Sequence, residues 1–344
     1  MAEPAPSGER PDADLIRSLE AADIHPLWDR YQRITPIEPN ASDTARIWRW
    51  HDFEPFTTRA AAEVPVEDVE RRALIMANPD FGDKTMTTNN LLSAFTVLEP
   101  GDRAVPHRHT AAAIRFSTRA EGAATIVNGR RCDMLPGDLI LTPPMCWHGH
   151  INDSDHRIIW FDAANIPLMN ALDAHFFEPG NREDYGFWQV DEGDERLWDA
   201  AGLVSGGAEA AVSHSPKYRY PGEATRRLLG ASAPGPDGSR TVRYVNPVTG
   251  GSVMTTLDCH AVRLPNEGAT RLKRGTWNAI CLVVEGEGRS TVGGETFEWS
   301  RHDVFTIPHW TWVSHEADGG DADLFVVTDR AVHERLDLVR EELS

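Results

Sequence analysis

Two stretches of this 344-residue chain repeat one another, and the repetition constrains the fold more than any other feature. At an offset of 166 positions Thr110 matches Thr276, Ala113 matches Ala279, Ile114 matches Ile280 and Glu121-Gly122 matches Glu287-Gly288. One residue is then lost in a hairpin. At an offset of 165, Gly129 matches Gly294, Asp138 matches Asp303, Pro143 matches Pro308, Trp147 matches Trp312 and His150 matches His315. These matches run in order and fall mostly at turns and strand ends, the mark of a duplicated unit. Within each copy, short apolar or alternating runs are separated by turn signals such as Glu99-Pro100-Gly101, Asn128-Gly129 and Pro136-Gly137. That texture predicts strands closing into a barrel or sandwich, so the expectation is a mainly β chain with two like barrels.

Four regions follow from this reading. Residues 1–90 are expected to hold a flexible start, a helix over 11–33 and an arm packing on the barrels; Pro26 must break that helix or begin a new turn. Residues 91–177 form the first barrel, closed by a helix over 166–177 with Pro167 in its first turn. Residues 178–240 read as a mixed connector, with Ser205-Gly206-Gly207 inside it. Residues 241–344 form the second barrel and end in a polar helix from 331 onward.

A net charge of −19 would repel phosphate backbones and anionic lipid, so nucleic acid and membranes are not expected partners. No apolar run reaches the ~18–20 residues of a spanning helix, and the first residues lack the basic start and apolar block of a secretory signal. The four cysteines have no C-x-x-C spacing, which suits reduced thiols and a cytoplasmic location.

The chemistry gathers in the first copy. Gly101 is followed after five residues by His107-Arg108-His109, and Gly137 after five residues by Pro143, then His148 and Asn152. Residues two apart on a strand share a face, so His107 and His109 point together and His148 completes a three-imidazole metal site. The two spacings are the two-part signature of the cupin barrel. The glutamate that often supplies a fourth ligand is absent, because Thr110, Ala111, Ala112, Ala113 and Ile114 follow His109. Three neutral imidazoles leave the full charge on a divalent metal and open positions around it, which suits Fe(II) with a chelating anion and dioxygen. Arg115 shares parity with His107 and is expected inside the barrel, gripping a substrate carboxylate or pairing with Asp162. His150 should also face inward, as an acid/base group or a partner for a phenol, with Asp162 placed to orient it. In the second copy Lys273, Gly275 and Val313 replace the three ligands and only His315 remains, so one metal per chain is expected and the second barrel is read as structural.

H-R-H-T at 107–110, I-R-F at 114–116, P-G-D-L-I-L-T-P-P at 136–144, W-H-G-H at 147–150 and I-P-L-M-N-A-L-D at 166–173 together resemble the gentisate 1,2-dioxygenase family. That group includes salicylate and 1-hydroxy-2-naphthoate dioxygenases. R-R-A-L at 71–74, R-Y-V-N-P-V-T-G-G at 243–251 and W-N-A at 277–279 extend the likeness over most of the chain. The resemblance implies a bicupin that uses Fe(II) and O₂ to open a 2-hydroxybenzoate between its carboxyl- and hydroxyl-bearing carbons. It implies iron on His107, His109 and His148, the substrate carboxylate on Arg115, a further substrate-side arginine at Arg71, and supporting roles for His150 and Asp162. It further implies a cytoplasmic tetramer. Two departures bear on the substrate: the usual E-G-E-G reads Arg119-Ala120-Glu121-Gly122, and a position that often carries glutamine reads Thr96, with Leu92 and Ala94 as inward neighbours. A less polar pocket of that kind suits a substituted salicylate. The rival expectations are a metal-dependent cupin isomerase, active without oxygen, and a non-enzymatic cupin that binds small acids.

Overall fold

The computed structural model describes residues 11–181, 185–188, 195–198 and 213–344. The first ten residues and Ser205-Gly206-Gly207 lie outside them. Residues up to Asn40 form a compact unit of their own, and the rest of the chain forms another. In the first unit Pro26 divides the expected helix in two, α1 (Ala13–Glu20) and α2 (Leu27–Ile34), and Arg30 pairs with Glu20 at 2.9 Å.

The second unit is built from one series of elements used twice. The first series runs β1 (Ile47–Trp48), α3 (Trp50–Glu63), β2 (Arg72–Ile75), β3 (Leu92–Leu98), β4 (His107–His109), β5 (Ala113–Arg119), β6 (Ala123–Val127), β7 (Arg130–Met134), β8 (Leu139–Thr142), β9 (His148–Asn152), β10 (Ile158–Ala164), α4 (Ile166–Ala171) and β11 (Phe177–Pro179). A single turn, α5 (Tyr185–Trp188), follows. The second series runs β12 (Arg219–Tyr220), α6 (Gly222–Ala231), β13 (Arg240–Tyr244), β14 (Asp258–Arg263), β15 (Lys273–Gly275), β16 (Ala279–Glu285), β17 (Gly288–Val292), β18 (Glu295–Trp299), β19 (Val304–Ile307), β20 (Val313–Ala317), β21 (Asp323–Thr328), α7 (Arg330–Arg335) and β22 (Glu341–Leu343).

The first barrel pairs a six-stranded sheet, β12-β8-β5-β10-β3-β2, with a five-stranded sheet, β11-β4-β9-β6-β7. The second pairs β1-β19-β16-β21-β14-β13 with β18-β17-β20-β15-β22, the same order element for element. The outermost strands are exchanged: β1 precedes the first barrel but edges the second, whereas β12 edges the first. An aspartate receives the start of the helix that follows each crossing strand. Asp138 accepts the backbone N–H of Gly222 at 2.8 Å, and Asp303, its repeat partner, accepts that of Trp50 at 2.6 Å.

The two six-stranded sheets are buried on both faces, which explains their nearly unbroken apolar runs. Phe95, Phe116 and Phe161 point away from the first barrel's interior into a shared core with Ile280, Leu282 and Phe325 of the second. Phe116 stacks on Phe325 with ring centroids 4.2 Å apart. The opposite faces fill the barrels, with Leu98, Ile140 and Trp160 in one and Val283, Phe305 and Leu324 in the other. The β6–β7 hairpin turns through Asn128 and Gly129, both with positive φ (46° and 78°), the conformation that makes Asn-Gly the preferred two-residue turn.

Two helix expectations are corrected. The helix expected over 166–177 stops at Ala171, because the chain must return to pair Phe177–Pro179 with β4. The expected C-terminal helix ends at Arg335; Asp337 then takes a positive φ of 57° and the chain finishes as β22 along β15. In both repeats a strand thus covers the edge that β4 or β15 would otherwise expose.

Candidate metal centre

β4 and β9 lie side by side with His107 opposite His148, and His109 two residues along on the same face. The three histidines are buried, and their ligating nitrogens lie within 4.8 Å of one another. Each ring is turned by its own backbone. Nδ1 of His107 donates to Val105 O at 2.8 Å, Nδ1 of His109 to Ala111 O at 2.8 Å, and Nδ1 of His148 to Cys146 O at 2.9 Å. With the proton fixed on Nδ1, each Nε2 carries a lone pair. Nε2 of His148 is buried with no hydrogen-bond partner, an unmet acceptor that a metal ion would satisfy. Burial, and then the charge of neighbouring groups, lowers His109 to about 3 and His148 well below the ordinary value, so both stay in the neutral form that binds metals. The donor set therefore fits a divalent metal.

Arg71 Nη1 donates to Nε2 of His107 at 3.3 Å and to Glu70 Oε1 at 2.6 Å, while its Nε is buried without a partner. Glu70 also stands 3.0 Å from Nδ1 of His107. Burial would raise the Glu70 carboxyl, but the hydrogen bond from His107 and the charge of Arg71 outweigh it and hold it at about 2. Glu70 was not foreseen, although it adjoins Arg71 in the stretch that carries part of the family likeness.

Arg115 lies inside the barrel, buried on β5 across from Asp162 on β10. Its Nε donates to Nε2 of His150 at 3.1 Å, its Nη1 to Thr142 Oγ1 at 2.5 Å, and Asp162 Oδ1 is 3.5 Å from Nε. Burial depresses Arg115 to about 10 despite the counter-charge of Asp162. Asp162 also accepts from the Thr96 hydroxyl, and the same Arg115 Nε reaches both Asp162 and His150. His150 is held at its other nitrogen by Thr125 Oγ1 at 2.9 Å, whose hydroxyl points on to Met134 Sδ at 3.8 Å. Arg115 donates to Nε2, so the His150 proton sits on Nδ1. Burial and the Arg115 charge together keep the ring neutral. Thr125 and Thr142 were also not foreseen, yet Thr125 faces His150 directly across the strand pair. Thr96 lies opposite Trp160, Ala94 opposite Asp162 and Leu92 opposite Ala164, so the three share the face that carries Asp162.

In the second barrel Lys273 lies opposite Val313 where His107 lies opposite His148. Among the described residues, His107, His109 and His148 are the one grouping of three or more histidine, cysteine or acidic side chains able to hold a metal ion.

Comparison with known proteins agrees with this geometry. Residues 94–163 match the cupin domain family. The chain is 32% identical to gentisate 1,2-dioxygenase 1 of Aquipseudomonas alcaligenes, over 98% of this chain and 97% of that one. It is 34% identical to 5-aminosalicylate 1,2-dioxygenase of a Comamonas species, over 98% and 92%. Its fold superposes on the salicylate 1,2-dioxygenase of Pseudoaminobacter salicylatoxidans, solved as an adduct with gentisate, with a TM-score of 0.91, 32% identity and coverage of 98% and 96%.

Proposed function

Because the chain belongs to the gentisate 1,2-dioxygenase family, we propose that it cleaves gentisate or a substituted salicylate between the carboxyl- and hydroxyl-bearing carbons, with both atoms of O₂ entering the product. The observation that carries this reading is the buried trio of Nε2 acceptors beside two arginines in one barrel. His107, His109 and His148 would hold one Fe(II), which supplies the redox chemistry toward dioxygen that a zinc ion lacks.

The remaining roles belong to the chain's own side chains. Arg71 offers its unpartnered Nε, and Arg115 is a buried cation compensated by a single carboxylate at 3.5 Å. A substrate carboxylate between them satisfies both and fixes the ring's orientation. Its charge also offsets the field that suppresses His150. As Arg115 turns toward the carboxylate, Nε2 of His150 is released to accept the phenolic proton. Asp162, anchored by Thr96, keeps the guanidinium from swinging away. Leu92, Ala94 and Thr96 form a wall with little polarity to offer a second ring hydroxyl, which favours a 5-substituted salicylate over gentisate.

The family resemblance supports a homotetramer, and the four free, buried cysteines support a cytoplasmic setting. No helix among the described residues is long and apolar enough to cross a membrane. The deciding experiment is an oxygen-electrode screen of gentisate, salicylate, 5-substituted salicylates and 1-hydroxy-2-naphthoate with Fe(II)-loaded protein. Uptake with at least one 2-hydroxy acid is expected. Absence of uptake with all of them would overturn the proposal, and turnover under nitrogen would point to isomerase chemistry.

A further inference from the structure

The second barrel is not filled where the first holds its histidines. A cavity of about 640 Å³ opens there, within the ~300–1,000 Å³ range of small-molecule sites. Its wall is largely apolar, including Val262, Cys281, Val313, Leu324 and Val326. Two polar side chains of this wall matter most. Lys273 takes the place of His107, and His315 takes the place of His150.

The hydrogen-bond chain behind His315 differs from that behind His150 at both of its positions, and the second difference is the decisive one. In the first barrel Thr125 has a sulfur acceptor, Met134, for its hydroxyl proton, so Thr125 accepts from His150 Nδ1. In the second, Ser290 replaces Thr125 and lies 2.8 Å from His315 Nδ1, but Trp299 replaces Met134. An indole nitrogen only donates, and Trp299 Nε1 donates to Ser290 Oγ at 2.9 Å. Among the described residues, the one acceptor left for the Ser290 hydroxyl is Nδ1 of His315. Its proton therefore sits on Nε2, which has no hydrogen-bond partner among the described residues. Exchanging Met134 for Trp299 thus reverses the imidazole: His150 presents an acceptor and His315 a donor.

Lys273 adds to that donor. Its ammonium is anchored by Asp237 at 2.6 Å, which uses one of three N–H groups. A half-buried ammonium and an imidazole N–H on a mostly apolar wall call for a group that accepts several hydrogen bonds and donates none. That describes a carboxylate. We propose that the second barrel is a binding site for a small carboxylate with an apolar, ring-sized body, its oxygens held by Lys273 and His315.

The proposal stands apart from ring cleavage in the first barrel, and its test reads binding rather than turnover. The probe is 4-fluorobenzoate, followed by fluorine NMR and calorimetry on the full Fe(II)-loaded chain, with 4-fluorobenzyl alcohol as the neutral counterpart. Two variants are compared with the parent: Lys273→Met combined with Asp237→Asn, which removes the anchor without stranding its counter-ion, and Val326→Phe, which fills the cavity. Each should lose one class of bound 4-fluorobenzoate, its affinity falling about tenfold or more, while oxygen uptake stays within about twofold. Thermal melts confirm folding, and the second variant decides if the first fails to fold. Unchanged 4-fluorobenzoate binding in a folded variant, or equally tight binding of the alcohol at this site, overturns the proposal.

Discussion

Arg115 donates to His150 at 3.1 Å, nitrogen to nitrogen, and this contact assigns the His150 proton to the far side of the ring. Thr125 holds that far side at 2.9 Å. His150→Ala should therefore lower kcat about tenfold or more with a smaller change in KM, since a proton acceptor acts mainly at the transition state. Thr125→Val should produce a weaker effect of the same kind and move the pH–rate profile. Steady-state kinetics across pH 5–9 checks both; an unchanged profile would make His150 a packing residue.

Metal analysis after anaerobic Fe(II) loading should give about one iron per chain. His148→Ala should abolish turnover while the circular dichroism spectrum stays that of the parent. Binding to the folded state alone should add about 3–4 kcal/mol at 100–1,000 times the dissociation constant, seen as a higher Tm that a chelator reverses. A stoichiometry near two would contradict the assignment.

The arginine pair gives the sharpest kinetic expectation. Arg115→Lys and Arg71→Lys keep the charge and lose the planar fork, and each should cost about 2–4 kcal/mol in kcat/KM, roughly 30- to 1,000-fold. Arg115→Lys should also weaken the hold on His150. Catechol, which has no carboxyl group, should be a poor substrate; efficient cleavage of catechol would refute the clamp.

Asp43 provides a pH test away from the site. Both carboxylate oxygens are buried without partners, and burial, followed by the charges of Asp80 and Asp329, raises it from 3.8 to about 6. The folded state binds this proton more tightly than the unfolded chain. The stabilisation is therefore complete below about pH 4 and is lost as pH rises through about 6. Asp43→Asn should melt like the parent at pH 4 and be more stable at pH 8, by about 1–2 kcal/mol. Chemical denaturation at the two pH values reads the difference, and an equal shift at both would sink the assignment.

The contact between barrels should be expensive to break. Phe325 is fully buried and stacks on Phe116, so Phe325→Ala should cost about 3–5 kcal/mol in urea unfolding, with both barrels melting together.

The histidine spacing and the strand parity made much of this centre legible in the sequence. Residues two apart on a strand must share a face, which puts His107 beside His109 and Arg115 inside with them. The repeat offset likewise placed Lys273 and Val313 on the positions of His107 and His148. Glu70 was not visible that way, because it sits in the bend before β2 and reaches His107 by a contact that no local period reveals. Thr125 and Thr142 were hidden for a different reason, since a threonine on a strand looks like ordinary β-propensity until its partner is known. The short helices were overextended for want of tertiary information. Only the need to cover β4 and β15 explains why residues 177–179 and 341–343 leave the helical path.

The exchanged edge strands set an order for events during synthesis. Ile47 and Trp48 leave the ribosome early, but Val304 and Phe305, their pairing partners, emerge roughly 250 residues later. Leu139 and Ile140 likewise wait for Arg219 and Tyr220. The first barrel can complete its sheet once β12 has been made, before the second barrel exists, but β1 stays unpaired until β19 emerges, so the nascent chain carries an open strand edge until translation nears its end. Half of this protein, expressed alone, would inherit that open edge permanently, and would be expected to pair with itself or aggregate rather than to bind metal as a free-standing barrel.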